Sequence, residues 1–304
     1  MERMRFEQFT DTVVSNIKDY LPGGFADASV EVQTVTKNND HKLTGLTIRS
    51  TSSNLSPTIY LEQYFEEYMD GADIRNILSD IADVRLRHEV RDCFDIRQIT
   101  DFACVKDKIV PRLSSLEWNS DLLEVRPHTQ IADLAVTYCI MLKADNTGVT
   151  SIPVTFQLLE TWGVEVDTLH ELAVRNLTRL FPTTFVSMSS MLRGLLPAIE
   201  DDDSSDGLFT QDDMMFILTS EQKLNGAANI LDKAMMDRVL DRFGEDFYLL
   251  PSSIHEWILV SDTGLNPAFL TSMVREVNAG EVSVEERLSS HVYRYTASEG
   301  LICA

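Results

Sequence analysis

Residues 131–142 read Ile131-Ala132-Asp133-Leu134-Ala135-Val136-Thr137-Tyr138-Cys139-Ile140-Met141-Leu142, with one charge and no Gly or Pro. The run is far short of the roughly 18 apolar residues that span a bilayer. Its Val, Thr, Tyr and Ile suit a strand buried on both faces. Asp145-Asn146-Thr147-Gly148 is a turn cluster that returns the chain as a second strand over 149–155. Such a pair must be covered from both sides, so the rest of the chain has to supply further layers.

Helical periodicity supplies some of them. Phe6, Phe9, Val13, Ile17 and Leu21 recur at spacings of three and four, and Pro22-Gly23-Gly24 stops that helix. Residues 28–36 and 43–48 flank Asn38-Asn39-Asp40 as a β-hairpin. Residues 60–69, 73–90 and 95–104 read as helices, and Ile109–Leu113 as a strand that Pro111 places at a sheet edge. Further helices are expected over 156–162, 166–180, 187–196, 227–243 and 267–278, and strands over 214–218, 247–250 and 290–296. Mixed short strands and helices, without regular βαβ alternation or an internal repeat, give an α+β fold. The length suggests two units at about 150 residues each. The expected division is an N-terminal unit of helix, β-hairpin and helices over 1–115, then a larger α+β unit over 116–304 with an acidic loop at 200–213.

Hydrophobic residues make up 44% of the 304, enough for a sizeable core and too many for a disordered chain. The net charge is −22, from 26 basic and 48 acidic side chains. Residues 1–115 hold 14 basic and 19 acidic, a net of −5, and residues 116–304 hold 12 and 29, a net of −17. Nucleic acid and anionic membrane are therefore excluded as partners, since both bind through Lys and Arg. A basic protein is the partner class this charge attracts. The start of the chain lacks the apolar stretch of a signal peptide, and the four cysteines (Cys93, Cys104, Cys139, Cys303) form no C-x-x-C pair or disulfide framework. The expectation is a cytoplasmic protein, in which the sequons at Asn54 and Asn176 carry no sugar and Cys139 is a buried thiol.

The chemistry-bearing motifs are sparse. His88-Glu89, His170-Glu171 and His255-Glu256 each begin like a zinc-hydrolase helix, but the fourth position holds Asp92, Val174 and Leu259 instead of His. Residues 202–213 place Asp202, Ser204, Asp206, Gly207, Thr210 and Asp213 near the calcium-loop spacing, with Asp where that loop uses a bidentate Glu. The competing reading is a solvated acidic loop, with seven acids and no base over 200–213. Neither a phosphate loop nor a dinucleotide fingerprint is present, so no cofactor and no metal is implied. Asp133 breaks an apolar run, and a carboxylate there needs partners; capping the start of its strand is the local solution.

Ser252, Ser253, His255 and Glu256 gather two hydroxyls, an imidazole and a carboxylate after a strand. Triad members usually converge from separate segments, and the spacing from Ser253 to Glu256 also fits a helix capping box. Asn225-Gly226 is the other polar cluster, at a turn.

Five blocks carry a resemblance. They are Ser56-Pro57-Thr58-Ile59-Tyr60-Leu61-Glu62, Asp133-Leu134-Ala135-Val136-Thr137-Tyr138, Leu224-Asn225-Gly226-Ala227-Ala228 with Ile230-Leu231, Leu250-Pro251-Ser252-Ser253-Ile254-His255-Glu256, and Met273-Val274-Arg275-Glu276-Val277-Asn278. Together they resemble an uncharacterised family of roughly 300-residue proteins from anaerobic gut bacteria, a domain of unknown function. The resemblance covers the chain from its first helix to Tyr295 and implies no activity.

Three functions remain open at this level. The first is a non-enzymatic cytoplasmic interaction or accessory protein with an acidic surface. The second is an enzyme of unrecognised type centred on Ser252, Ser253, His255 and Glu256 with Asn225 and Gly226. The third is an acidic mimic of DNA.

Overall fold

The computed structural model describes residues 3–50, 56–87, 97–145, 148–195, 215–244, 246–262 and 264–304. The pair His88 and Asp92, Cys93, Asn54 and the whole acidic stretch 200–213 lie outside the described residues. Contacts divide the chain into one unit of residues 1–37 and 41–97 and another of residues 38–40 and 98–304.

In the first unit, α1 (Phe6–Asn16) runs on as a 3-10 turn, Ile17–Tyr20, and ends at Pro22 as its sequence requires. β1 (Ser29–Thr36), β2 (Lys42–Arg49) and β3 (Thr58–Tyr60) make an antiparallel three-stranded sheet in that order. α2 (Glu62–Asp70) closes on Gly71, whose φ of 114° only glycine takes readily, and α3 (Ile74–Arg87) follows. Phe9, Val13, Ile17, Leu46, Ile48, Leu61 and Ile81 are all fully buried in one cluster. Each such side chain contributes about 1.5–3 kcal/mol of burial energy, so the helix stripe read from the sequence is the core of this unit.

The second unit opens with two single-turn helices, α4 (Arg97–Thr100) and α5 (Phe102–Val105), and then β4 (Ile109–Ser115). β4 pairs along its length with β6, so it belongs with this unit and not with the hairpin and helices before it. α6 (Ser120–Leu123) leads to β5 (His128–Ile131), β6 (Leu134–Asp145) and β7 (Gly148–Pro153). β6 is the centre of this antiparallel sheet, with β4 on one side and β5 and β7 on the other. Leu134 to Met141 are all buried, as the apolar run requires, and Pro111 lies on the edge strand β4. α7 (Phe156–Trp162) stops at Gly163 in the left-handed region, and α8 (Val166–Leu180) buries Leu169, Ala173 and Leu177. Asn176 of α8 is buried and donates to the carbonyls of Lys106 and Ile109, at 2.7 and 2.9 Å.

β8 (Thr183–Ser187), α9 (Met188–Leu195), β9 (Met215–Ser220), α10 (Lys233–Phe243), β10 (Phe247–Ser253), β11 (Glu256–Ser261), α11 (Pro267–Gly280), β12 (Tyr293–Thr296) and β13 (Gly300–Cys303) complete the chain. The six strands form one antiparallel sheet in the order β13-β12-β10-β11-β9-β8. The helix expected over 227–243 is two pieces: a 3-10 segment Gly226–Leu231, then α10, whose N-terminus is capped by Asp232 accepting from the Met235 N–H. A ladder of rings, Phe185, Phe216, Phe243, Phe247 and Tyr295, packs pairwise at 4.8–5.5 Å between centroids. Leu270 and Val274 of α11 cover Tyr248, Leu250 and Val260 on another part of the sheet.

Candidate functional site

The six residues singled out in the sequence meet at one end of the six-stranded sheet. β10 and β11 form a tight hairpin with Ile254 and His255 at its tip, so Ser253 and Glu256 pair across strands instead of capping a helix. The capping-box reading is corrected by this pairing: Glu256 opens β11 and registers with Thr219 of β9. Ser252 Oγ donates to Glu256 Oε1 at 3.1 Å, and Ser253 Oγ accepts the backbone N–H of His255 at 3.0 Å.

The segment leaving β9 folds back onto the hairpin tip. Lys223 and Asn225 both take positive φ, 55° and 51°, which turns the chain sharply. The Asn225 N–H donates to His255 Nδ1 at 2.9 Å, and the Thr219 hydroxyl donates to the His255 carbonyl at 2.8 Å. Gly226 sits where a Cβ would strike the Ser220 nitrogen, the His255 carbonyl at 2.5 Å and Thr219 Oγ1 at 2.6 Å. Trp257, fully buried, donates from Nε1 to the Ala227 carbonyl at 2.8 Å.

This arrangement fixes the tautomer of His255. A ring that accepts at Nδ1 carries its proton on Nε2, which faces Glu286 Oε1 at 3.6 Å. A triad base needs the opposite polarity, with Nδ1–H on the carboxylate and a free lone pair on Nε2. The hydroxyl of Ser253 is engaged by backbone and that of Ser252 by Glu256. What the cluster does chemically is to clamp a turn onto a hairpin.

Two further polar clusters escape a purely local reading. Asp133 does not cap its own strand. It sits in the turn before β6, and its carboxylate accepts Tyr293 OH and His291 Nδ1–H, both at 2.6 Å. Burial raises the Asp133 pKa, but the donors Tyr293 and His291 outweigh it and hold the carboxyl below its ordinary range. Burial and the bond to Asp133 push the Tyr293 hydroxyl far up. The signal was the lone acid in an apolar run together with His291 and Tyr293 two apart in the segment expected as a strand over 290–296; His291 lies just before β12. The second cluster joins Tyr138 OH to His170 Nδ1 at 3.0 Å and to Thr129 Oγ1 at 3.3 Å. Burial raises Tyr138 to about 12 and lowers His170, so the pair is neutral at pH 7. Cys139 is buried, and burial raises its thiol as well. Among the described residues no three or more His, Cys, Asp or Glu side chains stand close enough together to hold a metal ion. Among the same residues no helix is long and apolar enough to cross a membrane.

A model of a family of unknown function, DUF5688, matches residues 6–297, from the first residue of α1 to just beyond β12. The chain belongs to this family. The match spans Asn225, Gly226, the hairpin tip 252–256, Asp133, His291 and Tyr293, whereas β13 lies beyond it. Neither the curated proteins nor the solved structures hold a match to the chain. DUF5688 membership agrees with the resemblance of the five sequence blocks and assigns no activity.

Proposed function

We propose that this DUF5688 protein is a non-enzymatic, cytoplasmic interaction protein that takes a basic amphipathic helix of a partner along an exposed flank of α11. One observation carries the reading. Phe269, Met273 and Val277 are 60%, 41% and 46% exposed, at i, i+4 and i+8 along a stripe about 100° around the helix from the buried Leu270 and Val274. Large apolar side chains in line on a helix form the ridge that packs against another helix. Exposed carboxylates at Glu276 on α11 and Glu281 at its end stand against Arg275. A second copy of the chain is disfavoured as occupant because two bodies of charge −22 repel. Basic side chains flanking an apolar stripe complement both features. The free thiols of Cys104 and Cys303 at the surface suit a reducing compartment.

The test uses a labelled amphipathic Leu/Lys peptide, its Leu/Glu counterpart, and fluorescence anisotropy, with sedimentation of the protein alone. The Leu/Lys peptide is expected to bind and the Leu/Glu peptide not to. Phe269→Asp is expected to weaken binding about tenfold or more, as for an interface anchor. That variant adds a negative charge, so binding by charge alone would strengthen instead, and that result overturns the reading. Wild type sedimenting as a dimer that Phe269→Asp dissolves also overturns it, in favour of self-association.

A further inference from the structure

A cavity of about 350 Å³ lies between α10 and β8, the strand at one end of the six-stranded sheet. Among the described residues it is lined by Thr183 and Phe185 of β8 and by Met235, Arg238 and Arg242 of α10. Thr183 and Phe185 are two apart on one strand, so they share a sheet face. On α10, at about 100° per residue, Arg238 and Arg242 fall within about 60° of Met235 around the helix. Asp237 and Asp241 fall about 120–160° from Met235 by the same count. The helix therefore turns its bases toward the cavity and its acids away from it.

The lining has an aromatic part and a cationic part. Phe185 is the end of the ring ladder: it stacks on Phe216 at 4.9 Å between centroids, with the planes 22° apart, and is itself only half-buried. A flat ring in the cavity extends that ladder by one. Met235 is buried and brings a polarizable thioether to the same space. Arg238 and Arg242 are exposed and one helical turn apart, so their side chains are neighbours. The Arg242 guanidinium carbon lies 5.3 Å from the centre of the Phe216 ring, which ties that fork to the ladder. Like charges one turn apart repel, and an anion between them removes the repulsion. Guanidinium forks take a carboxylate through paired N–H groups. The volume is at the small end of ligand cavities, about 300–1,000 Å³, and suits one or two fused rings better than a peptide. The net charge of −22 opposes an anion at long range, but charges beyond about 8 Å are largely screened at physiological ionic strength, and the two guanidiniums act at contact.

We propose that this cavity binds a small aromatic carboxylate, with its ring against Phe185 and Met235 and its carboxylate between Arg238 and Arg242. The cavity lies on the sheet face of Phe216 and Phe247, whereas α11 covers Tyr248, Leu250 and Val260 on the other face, so the site is independent of the α11 ridge.

The test is calorimetric titration of the full chain with three probes: naphthoate, naphthalene methanol as the ring without the charge, and acetate as the charge without the ring. Naphthoate is expected to bind, and each fragment to bind at least about tenfold more weakly, since either one forgoes the fork contacts or the ring contact. Arg238→Gln is expected to weaken naphthoate about tenfold, and Arg238→Lys, which keeps the charge without the fork, to fall between it and wild type. Phe185→Leu is expected to weaken naphthoate and leave acetate unchanged. Arg238 is exposed on the helix, so its variants are expected to fold, and they keep the test decisive if Phe185→Leu does not. No saturable binding of naphthoate, equal binding of naphthoate and either fragment, or equal naphthoate affinity in Arg238→Gln overturns the proposal. Tighter binding of naphthyl phosphate than of naphthoate overturns the carboxylate in favour of a phosphate ester.

Discussion

The imidazole of His255, at the tip of the β10–β11 hairpin, accepts the backbone N–H of Asn225, thirty positions earlier, at 2.9 Å. Backbone N–H groups in tight turns need an acceptor, and here a side chain provides it. His255→Ala leaves that donor unpaired and is expected to cost about 1–2 kcal/mol in urea unfolding. His255→Asn can place its amide oxygen where Nδ1 lies and is expected to recover most of the loss. Equal losses for the two variants would rule out the clamp as the role of this ring.

Gly226 is constrained by space, not by its backbone angles. Its missing Cβ leaves room for the His255 carbonyl and for Thr219 and Ser220 of β9. Ser220 N belongs to the paired end of β9 and the His255 carbonyl accepts the Thr219 hydroxyl at the hairpin tip, so neither can yield without disturbing the β8–β9 pairing or that bond. Gly226→Ala is expected to cost about 3 kcal/mol or more, or to prevent folding. Gly163→Ala, with open space around it and only a positive φ to strain, is expected to cost about 1 kcal/mol. A smaller loss for Gly226→Ala than for Gly163→Ala would refute the close-approach account.

Much of the fold follows from periodicity. The stripe of Phe9, Val13 and Ile17, the helix stop at Gly163 and the buried run of β6 each rest on local physics that the sequence displays. Thr183–Ser187 and Gly300–Cys303 do not display it, because short edge strands are strands only through their partners β9 and β12. The segment Ser253–Glu256 fits a capping box and a hairpin equally well; pairing of Glu256 with Thr219 decides. At the candidate site the polar residues were visible as a set, but the direction of the proton on His255 depends on a contact with Asn225 that no spacing reveals. Asp133 and His291 are 158 positions apart, beyond any local pattern.

The Asp133 carboxyl gives a pH-dependent stability with a defined sign. Its folded-state pKa lies below the ordinary value of 3.8, because Tyr293 and His291 donate to it strongly enough to overcome burial. As pH falls the unfolded chain therefore takes up its proton first. The contribution is complete above about pH 4 and is lost as pH falls through the folded value. Thermal melts from neutral pH to acid are expected to show a steeper fall for wild type than for Asp133→Asn below that point. Tyr293→Phe removes one donor and is expected to lie between them. The exposed Asp73, lowered by the Arg75 backbone N–H, titrates alike in all three and cancels in the differences. Parallel pH profiles for wild type and Asp133→Asn would contradict the assignment.

Among the described residues of the first unit Arg85 is the one arginine buried completely, and its stem and head do different work. Nε donates to the Ile48 carbonyl at 2.8 Å, and the guanidinium carbon lies 4.8 Å over the centre of the Phe25 ring. The same carbonyl also accepts from Ser56 Oγ at 2.9 Å, so it keeps a partner when the arginine is removed. Arg85→Ala deletes the ring contact and opens a cavity in the core of Phe9, Ile48 and Ile81, for an expected loss of about 3 kcal/mol. Arg85→Met restores the volume of the stem without the charge and is expected to lose roughly half as much. Urea midpoints decide between packing and charge: if Met is as damaging as Ala, the guanidinium's own bonds and not its volume hold β2 to α3.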